Sequence, residues 1–261
     1  MDLGVKGKVF MVAGASSGLG YAIAHRLAAE GAHVSIASRN QKNIAQAAAS
    51  ISEVTASEIR GYSFDAREAS SISGWVNATQ NDFGRIDGLV VNTGGPTPGS
   101  FEEFDDSAWQ AAFDLTLMSA VRLIREALPA LKVNGGSILT LTSSAVKEPI
   151  DILLLSNVMR SGVASLVKSL SVDLAQHNIR INNLIPGTIS TGRIDALNKF
   201  VASRSDISPE QVRKNGEASI PMGRYGKPEE FANIAAFLLS DAASYITGTN
   251  NVVDGGKMKG I

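Results

Sequence analysis

A glycine-rich segment, Gly14-Ala15-Ser16-Ser17-Gly18-Leu19-Gly20, joins the apolar run Val9–Ala13 to a helical pattern. Glycine allows positive φ angles and lets backbone N–H groups approach a pyrophosphate at the positive end of a helix. The G-x3-G-x-G spacing differs from the common G-x-G-x-x-G fingerprint, and three glycines alone also fit a plain tight turn. Their place after a first strand favours a dinucleotide site, with contacts from Gly14, Ser16, Ser17, Gly18 and Leu19.

Apolar runs of strand length alternate with helical patterns along the chain. Runs without polar alternation are typical of strands buried on both faces, as in a parallel sheet. They are Val9–Ala13, Val34–Ala37, Leu89–Val91, Ile138–Leu141, Ile179–Leu184 and Val252–Val253. Between them, apolar residues recur at helical spacing, as in Phe231, Ile234, Ala235 and Leu238. This alternation predicts an α/β fold with a doubly wound sheet and helices on both faces.

The composition fits a globular protein and argues against several classes of function. The 261 residues are 44% hydrophobic and 19% charged, which argues against disorder, collagen and coiled coil. The net charge of -1 shows no basic excess for nucleic acid, and no apolar run approaches the ~20 residues of a membrane span. There is no cysteine, and the three histidines are scattered, so no metal site is predicted. We expect a cytoplasmic protein with no nucleic-acid or membrane partner.

The end of the second predicted strand indicates which dinucleotide binds. An NAD site usually has an acidic residue there for the ribose 2′-hydroxyl. This strand ends in Ser38-Arg39-Asn40 instead. A guanidinium and a hydroxyl suit a 2′-phosphate, whereas the alternative is that Arg39 is a solvated surface residue. The segment predicts NADP(H) as the cofactor.

One long polar stretch, residues 187–227, interrupts the alternation after the sixth strand. In an open parallel sheet, ligands bind beyond the carboxyl ends of the strands, where such a loop lies. We therefore expect a substrate lid here. Arg193, near its start, is a candidate for binding a substrate carboxylate, and a surface role is the alternative.

Further motifs follow the predicted strands in a recognisable order. They are Asp65-Ala66, Asn92-Thr93-Gly94-Gly95, Ser143, Pro186-Gly187-Thr188-Ile189-Ser190-Thr191, Arg224, Pro228-Glu229-Glu230, Ser240-Asp241, Ile246-Thr247-Gly248 and Asp254-Gly255-Gly256. With the glycine turn, they resemble the short-chain dehydrogenase/reductase family over nearly the whole chain. The C-terminal motifs resemble its 3-oxoacyl-carrier-protein-reductase-like branch.

The resemblance implies a single Rossmann-type domain over residues 1–261, with a mostly parallel seven-stranded sheet and a nicotinamide cofactor. It also implies a homotetramer or homodimer. The cofactor contacts that it implies beyond the glycine turn are Asp65 and Ala66 at the adenine, Asn92, Thr93 and Gly94 after the fourth strand, and Pro186, Gly187, Ile189 and Thr191 at the nicotinamide amide.

The catalytic positions depart from the family pattern. Most members reduce carbonyls with Asn, Ser, Tyr and Lys, the last two as Tyr-x-x-x-Lys beginning thirteen residues after the serine. Thirteen residues after Ser143 stands Ser156, and four further on stands Arg160. Thr116 stands where the asparagine is expected. With Lys147-Glu148-Pro149 and Asn157, this pattern resembles a tyrosine-lacking subgroup, the bacilysin-pathway reductase group.

Ser143, Ser156 and Arg160 are the candidate catalytic residues. A serine hydroxyl is a far weaker acid than a phenol, and arginine stays protonated, so no proton relay is expected. General acid catalysis contributes ~10²–10⁴-fold, and its loss would cripple simple ketone reduction. Ser143 can still donate to an oxyanion, and Arg160 can bind the ribose and fix the cofactor. Hydride addition to the far carbon of an enone suits this set, because the charge then develops on an enolate oxygen.

These features predict an NADP(H)-dependent reductase of a small carbonyl or enone substrate, and two alternatives stay open. One is a 3-oxoacyl-type carbonyl reductase with Lys147 or water as the acid. The other is a catalytically silent NADP(H)-binding protein. His177, Trp75 and Trp109 are expected to be structural, and Ile152-Leu153-Leu154-Leu155 is expected to pack in the core, at the substrate side or at a subunit interface.

Overall fold

The computed structural model describes residues 2–260, and its strands form one parallel sheet. The strands are β1 (Val9–Ala13), β2 (His33–Ser38), β3 (Ile59–Ser63), β4 (Gly88–Val91), β5 (Gly136–Leu141), β6 (Ile179–Pro186) and β7 (Asn250–Val253). Their order is β3-β2-β1-β4-β5-β6-β7, and all neighbours pair in parallel. The chain reverses its winding direction between β1 and β4, which opens a crevice at their carboxyl ends.

Helices connect the strands. They are α1 (Gly18–Ala29), α2 (Gln41–Val54), α3 (Ala69–Phe83), α4 (Asp106–Ala112), α5 (Ser119–Asn134), α6 (Leu154–Ala175), α7 (Gly192–Ser205), α8 (Pro209–Ala218) and α9 (Pro228–Leu239). A π-helical segment, Phe113–Met118, joins α4 to α5. Within residues 2–260, no helix has the length and apolar character needed to cross a bilayer.

Two buried apolar layers cover the two faces of the sheet. Phe10 and Val12 of β1 belong to the layer that α1, α2 and α9 cover, whereas Met11 and Ala13 belong to the layer of α3, α5 and α6. Because both faces are buried, β1 shows no polar alternation. The prediction of a doubly wound, seven-stranded sheet with helices on both faces is confirmed.

The structure differs from the sequence prediction at two places. β3 is absent from the apolar runs because it is an edge strand, and its residues are only partly buried. The long loop predicted over residues 187–227 is wrong as secondary structure, because α7 and α8 occupy most of it. These helices bury few residues, because they lie over the carboxyl edge of the sheet rather than in its two core layers. The start of α8 does have a local signal, since the Ser208 hydroxyl accepts from the Gln211 N–H at 3.2 Å and Pro209 follows directly.

Candidate active site

The glycine turn after β1 packs tightly against the start of α1. Gly14 and Gly18 have φ angles of +62° and +60°, and a Cβ on Gly20 would lie 2.4 Å from the Gly14 carbonyl oxygen. The N-cap residue Ser17 makes no side-chain capping bond. The first N–H groups of α1 are therefore not capped by that side chain, and a bound pyrophosphate would fit them. The Asn92 amide donates to the Ala13 and Gly14 carbonyls at 3.2 and 3.3 Å, which ties the end of β4 to this turn.

The end of β2 carries a polar atom that lacks a partner. The Ser38 hydroxyl is buried and finds no hydrogen bond among the described residues. Arg39 is exposed beside it. Asn40 caps α2, since its side chain accepts from the Asn43 N–H at 2.9 Å. A buried hydroxyl without a partner next to a free guanidinium fits a phosphate monoester, which supplies acceptor oxygens.

The end of β3 lies beside the end of β2. The Phe64 N–H donates to the Ser38 carbonyl at 3.0 Å, so the residues that follow each strand are neighbours. The Arg67 side chain binds the Asp65 carboxylate, and this hydrogen bond lowers the pKa of Asp65. Ala66 is buried. The positions expected at the adenine thus adjoin those expected at the 2′-phosphate.

A cavity of about 620 Å³ lies at the carboxyl ends of β1, β4, β5 and β6. It brings together most of the predicted site residues, whereas Ser16, Ser38, Arg39, Asn40, Asp65 and Ala66 lie outside its lining. The predicted residues that line it are Gly14, Ser17, Gly18, Leu19, Asn92, Thr93, Gly94, Ser143, Ser156, Arg160, Pro186, Gly187, Ile189 and Thr191.

Ser143 begins a short turn directly after β5. Its hydroxyl oxygen accepts from the Ala145 N–H at 3.2 Å, so its hydrogen is left to donate to a ligand in the cavity. The strand end before it is fixed by Asn183 of β6, whose side-chain oxygen accepts from Thr140 and Thr142 at 3.0 and 2.9 Å. Ser143 is thereby held at the cavity wall.

Ser156 and Arg160 form a second polar pair, one turn apart on α6. The Arg160 Nε–H donates to the Ser156 hydroxyl at 3.1 Å, and its Nη1 donates to the Leu141 and Thr142 carbonyls at 2.9 and 3.3 Å. Burial lowers the pKa of Arg160 to about 10, and the positive charge of Arg193 acts in the same direction. The guanidinium therefore stays charged at neutral pH. Since Nε–H occupies a lone pair of Ser156, the serine hydrogen is free to donate.

Thr116 lies on the π-helical segment before α5. It is buried, and its hydroxyl has no hydrogen-bond partner within residues 2–260. It does not line the cavity. Single π-helical turns inside α-helices are frequent at functional sites.

Helices α7 and α8 contribute apolar walls to the same cavity, through Ile194, Leu197, Val201 and Val212. Arg193, in the first turn of α7, reaches across and donates to the Pro96 carbonyl at 3.2 Å. Lys147 is exposed and lies outside the cavity lining, so its proposed role as the acid has no structural basis.

Comparison with known proteins decides the family. Dehydrogenase/reductase SDR family member 4 of Bos taurus is 34% identical over 253 residues, which cover 96% of this chain and 87% of that protein. The family model described as enoyl-(acyl carrier protein) reductase matches residues 14–257. The chain belongs to the short-chain dehydrogenase/reductase family.

Solved structures of similar reductases agree. L-sorbose reductase from Gluconobacter frateurii, complexed with NADPH and L-sorbose, has a TM-score of 0.95 at 31% identity, covering 100% of both chains. YwfH, an NADPH-dependent reductase involved in bacilysin biosynthesis, has a TM-score of 0.92 at 31% identity, covering 97% of this chain and 99% of that one. The resemblance to the family and to a bacilysin-pathway reductase is confirmed.

Several cavity residues of this short-chain dehydrogenase/reductase were missed from the sequence. Lys257 lines the cavity beyond β7, and Tyr225 and Ile150 contribute to its walls. The topology gave a signal for Lys257, because it follows the carboxyl end of a strand. Ile150 had none, since it is held by Asn157, whose amide donates to the Ile150 carbonyl at 3.0 Å.

The residues predicted to be structural, Trp75, Trp109 and His177, do not line the cavity. Trp75 is buried in the core and donates to the Ser35 hydroxyl at 2.9 Å, and Trp109 packs in a small cluster with Leu155. His177 lies between α6 and β6. Ile152 and Leu153, in contrast, line the cavity, which puts that run on the side predicted for substrate.

Proposed function

We propose that this chain is an NADP(H)-dependent reductase that adds hydride to a conjugated enone. NADP(H) is the cofactor, since the two similar structures are of NADPH-dependent or NADPH-bound reductases, and the glycine turn and the unpaired Ser38 hydroxyl fit it. When bound, it supplies the hydride. Ser38 and Arg39 would hold its 2′-phosphate, and Arg160 its nicotinamide ribose.

The observation that carries the proposal is the pair of hydroxyl donors, Ser143 and Ser156, at the positions where the family resemblance expects a serine and the proton-donating tyrosine. Each hydroxyl oxygen already accepts an N–H, from Ala145 and from Arg160 Nε, so each hydrogen is available to a substrate oxygen. Within the described residues, no Asp, Glu, His or Cys lines the cavity. Ser143, Ser156 and Arg160 can stabilise an oxyanion, but neither a serine hydroxyl nor a guanidinium readily gives up a proton near neutral pH.

Conjugate addition needs only what this set provides. Hydride adds to the β-carbon of the enone, the double-bond electrons shift, and the negative charge comes to rest on the enolate oxygen. Ser143 and Ser156 would donate hydrogen bonds to that oxygen, and the Arg160 charge would stabilise it. Water then protonates the α-carbon and restores the ketone. Serine and arginine keep their protonation states throughout.

Reduction of an isolated carbonyl is the second candidate. It is favoured by the similarity to L-sorbose reductase, whose structure contains a keto sugar. In this case the alkoxide would take its proton from water, Lys257 or Tyr225, because Lys147 lies outside the cavity lining whereas Lys257 and Tyr225 line it. Tight NADPH binding with no consumption of any compound would instead identify a catalytically silent protein.

The test is a panel of matched pairs, each a conjugated enone and its saturated ketone, with NADPH oxidation as the readout. We expect the enone of each pair to react faster and the product to be the saturated ketone rather than the allylic alcohol. Fast reduction of the saturated ketones alone would contradict conjugate addition and support the second candidate. Product analysis by mass spectrometry with deuterated NADPH locates the transferred hydride on carbon β.

We also propose that residues 187–227 act as the substrate lid. We propose in addition that the chain forms a homodimer or homotetramer through α6. Val158 and Val172 on this helix are 48% and 73% exposed, so a second subunit packed on α6 would remove both apolar side chains from water. The variant Val172→Glu should lower the mass measured by light scattering. An unchanged mass would contradict assembly through this face.

A further inference from the structure

The C-terminal segment, residues 254–260, runs from the end of β7 to the loop after Ser143 and contributes Lys257 to the cavity lining. Lys257 is the residue of this segment that lines the cavity, and its ammonium donates to the Thr188 hydroxyl at 3.3 Å. Thr188 follows β6, next to the expected nicotinamide contacts Gly187 and Ile189. The Lys257 ammonium therefore lies beside the residues expected at the nicotinamide end of the cofactor.

Backbone hydrogen bonds fix this segment. The Asp254 carboxylate accepts from the N–H groups of Gly256 and Met258, at 2.8 and 2.7 Å. Glu148, on the loop after Ser143, accepts from the N–H groups of Lys259 and Gly260 at 2.7 and 3.2 Å. The segment is thus tied to β7 at one end and to the loop after Ser143 at the other.

The charges around the cavity are unbalanced. Its lining contains Arg160, Arg193 and Lys257, and none of the three forms an ion pair within residues 2–260. No acidic side chain of the described chain lines it. A pocket with one sign of charge concentrates ligands of the opposite sign and selects them over neutral ones.

The pyrophosphate turn and Lys257 follow strands at different places in the sheet. The pyrophosphate site follows β1, which is separated from β7 by β4, β5 and β6 in the sheet. At about 4.8 Å per strand, the ends of β1 and β7 are roughly 19 Å apart. Ser143, at the end of β5, is only two strands from β7, or roughly 10 Å. A small substrate spans the second distance once the length of the lysine side chain is subtracted.

We propose that Lys257 binds a carboxylate of the substrate, so that the natural substrate is an anionic enone. The carbonyl oxygen lies at Ser143 and Ser156, the apolar walls of α7 and α8 hold the carbon chain, and the carboxylate meets the Lys257 ammonium. Arg193 adds positive potential across the cavity. This inference rests on the proposed function for the enone, and the carboxylate is tested separately from it.

The experiment compares oxo-alkenoates of increasing chain length with their methyl esters. The NADP⁺-bound protein is titrated with each compound by calorimetry, and NADPH oxidation is followed in parallel. We expect the acid to bind at least about tenfold more tightly than its ester, as for one charge-assisted hydrogen bond. Lys257→Gln should remove this preference by raising the KM of the acid and leaving the ester unchanged. Lys257→Arg should restore it.

Lys259→Gln is the matched control, because its side chain does not line the cavity. Equal binding of acid and ester by the wild-type protein would overturn the carboxylate inference, and enone turnover would then leave the proposed function standing. Preferential acid binding without turnover would support the inference while refuting the function. A rise in the NADPH dissociation constant of Lys257→Gln, with no change for the acids, would overturn it by assigning the lysine to the cofactor.

Discussion

Replacing Ser143 by alanine removes one of the two hydroxyl donors and tests the mechanism directly. The Ser143 hydroxyl accepts the Ala145 N–H at 3.2 Å, so in the proposed mechanism its own hydrogen would be donated to the substrate oxygen. Loss of one oxyanion donor costs about 10²–10³-fold in kcat, or about 2.7–4 kcal/mol of transition-state stabilisation. We expect Ser143→Ala to lower kcat within this range on an enone.

The same substitution also removes a cap, and this effect must be separated from catalysis. The turn Ser144–Val146 loses the acceptor for its Ala145 N–H, which costs roughly 1 kcal/mol of folding free energy. For a protein of this size, that loss lowers Tm by about 2–4 °C. The variant should therefore be folded and bind NADPH normally at room temperature.

The assay measures kcat and KM from NADPH oxidation, the NADPH dissociation constant from fluorescence, and Tm. Ser169→Ala is the control, because Ser169 is an exposed serine of α6 that lies far from the cavity lining. Ser156→Ala and the double variant complete a double-mutant cycle, which reports whether both hydroxyls donate to the same substrate oxygen. A change in kcat of Ser143→Ala below about threefold, with saturating enone, would refute its role as a donor to the developing charge.

Three further predictions concern the cofactor site and the pH dependence. Gly20→Ala should abolish measurable NADPH binding, since its Cβ would lie 2.4 Å from a backbone oxygen, whereas Gly74→Ala, with open space around it, should bind normally in the same titration. Arg39→Gln should weaken NADPH by about 10–100-fold and leave NADH unchanged in fluorescence titrations, and equal losses for both would contradict a 2′-phosphate contact. The rate should stay flat between about pH 6 and pH 9 because no cavity acid or histidine titrates there, and it should fall as pH rises through about 10, where Arg160 loses its proton. A rise or fall of the rate with pH near neutrality would contradict this account.

The sequence predicted the sheet well because strands buried on both faces leave an unambiguous apolar pattern. β1 is an example, with every residue buried, while the edge strand β3 escaped notice because half-exposed residues carry no such pattern. The helices α7 and α8 escaped for a related reason, since they lie on the surface of the domain with few buried residues. Burial therefore decides which elements a single sequence predicts.

The candidate site was predicted where a motif is local and missed where it depends on contacts across the chain. Ser143 and the glycine turn each follow a recognisable strand, so position alone identified them. Lys257 follows a strand, but its segment is held by Asp254 and Glu148, and the Glu148 bonds join residues distant in sequence. Whether the Ser38 hydroxyl has a hydrogen-bond partner within the chain or is left to bind a ligand likewise depends on packing, which no short sequence pattern encodes.

The polar groups of the cavity determine which kind of oxyanion the protein can stabilise. An alkoxide formed from an isolated ketone is a strong base that must capture a proton, and neither Ser156 nor Arg160 gives one up readily. An enolate spreads its charge over oxygen and carbon and is a much weaker base. Two hydroxyl donors and the Arg160 guanidinium, which stays charged below about pH 10, are enough to hold it until water protonates carbon. Serine and arginine, at the positions where the family resemblance expects tyrosine and lysine, would then narrow the chemistry to conjugate addition while keeping the cofactor geometry.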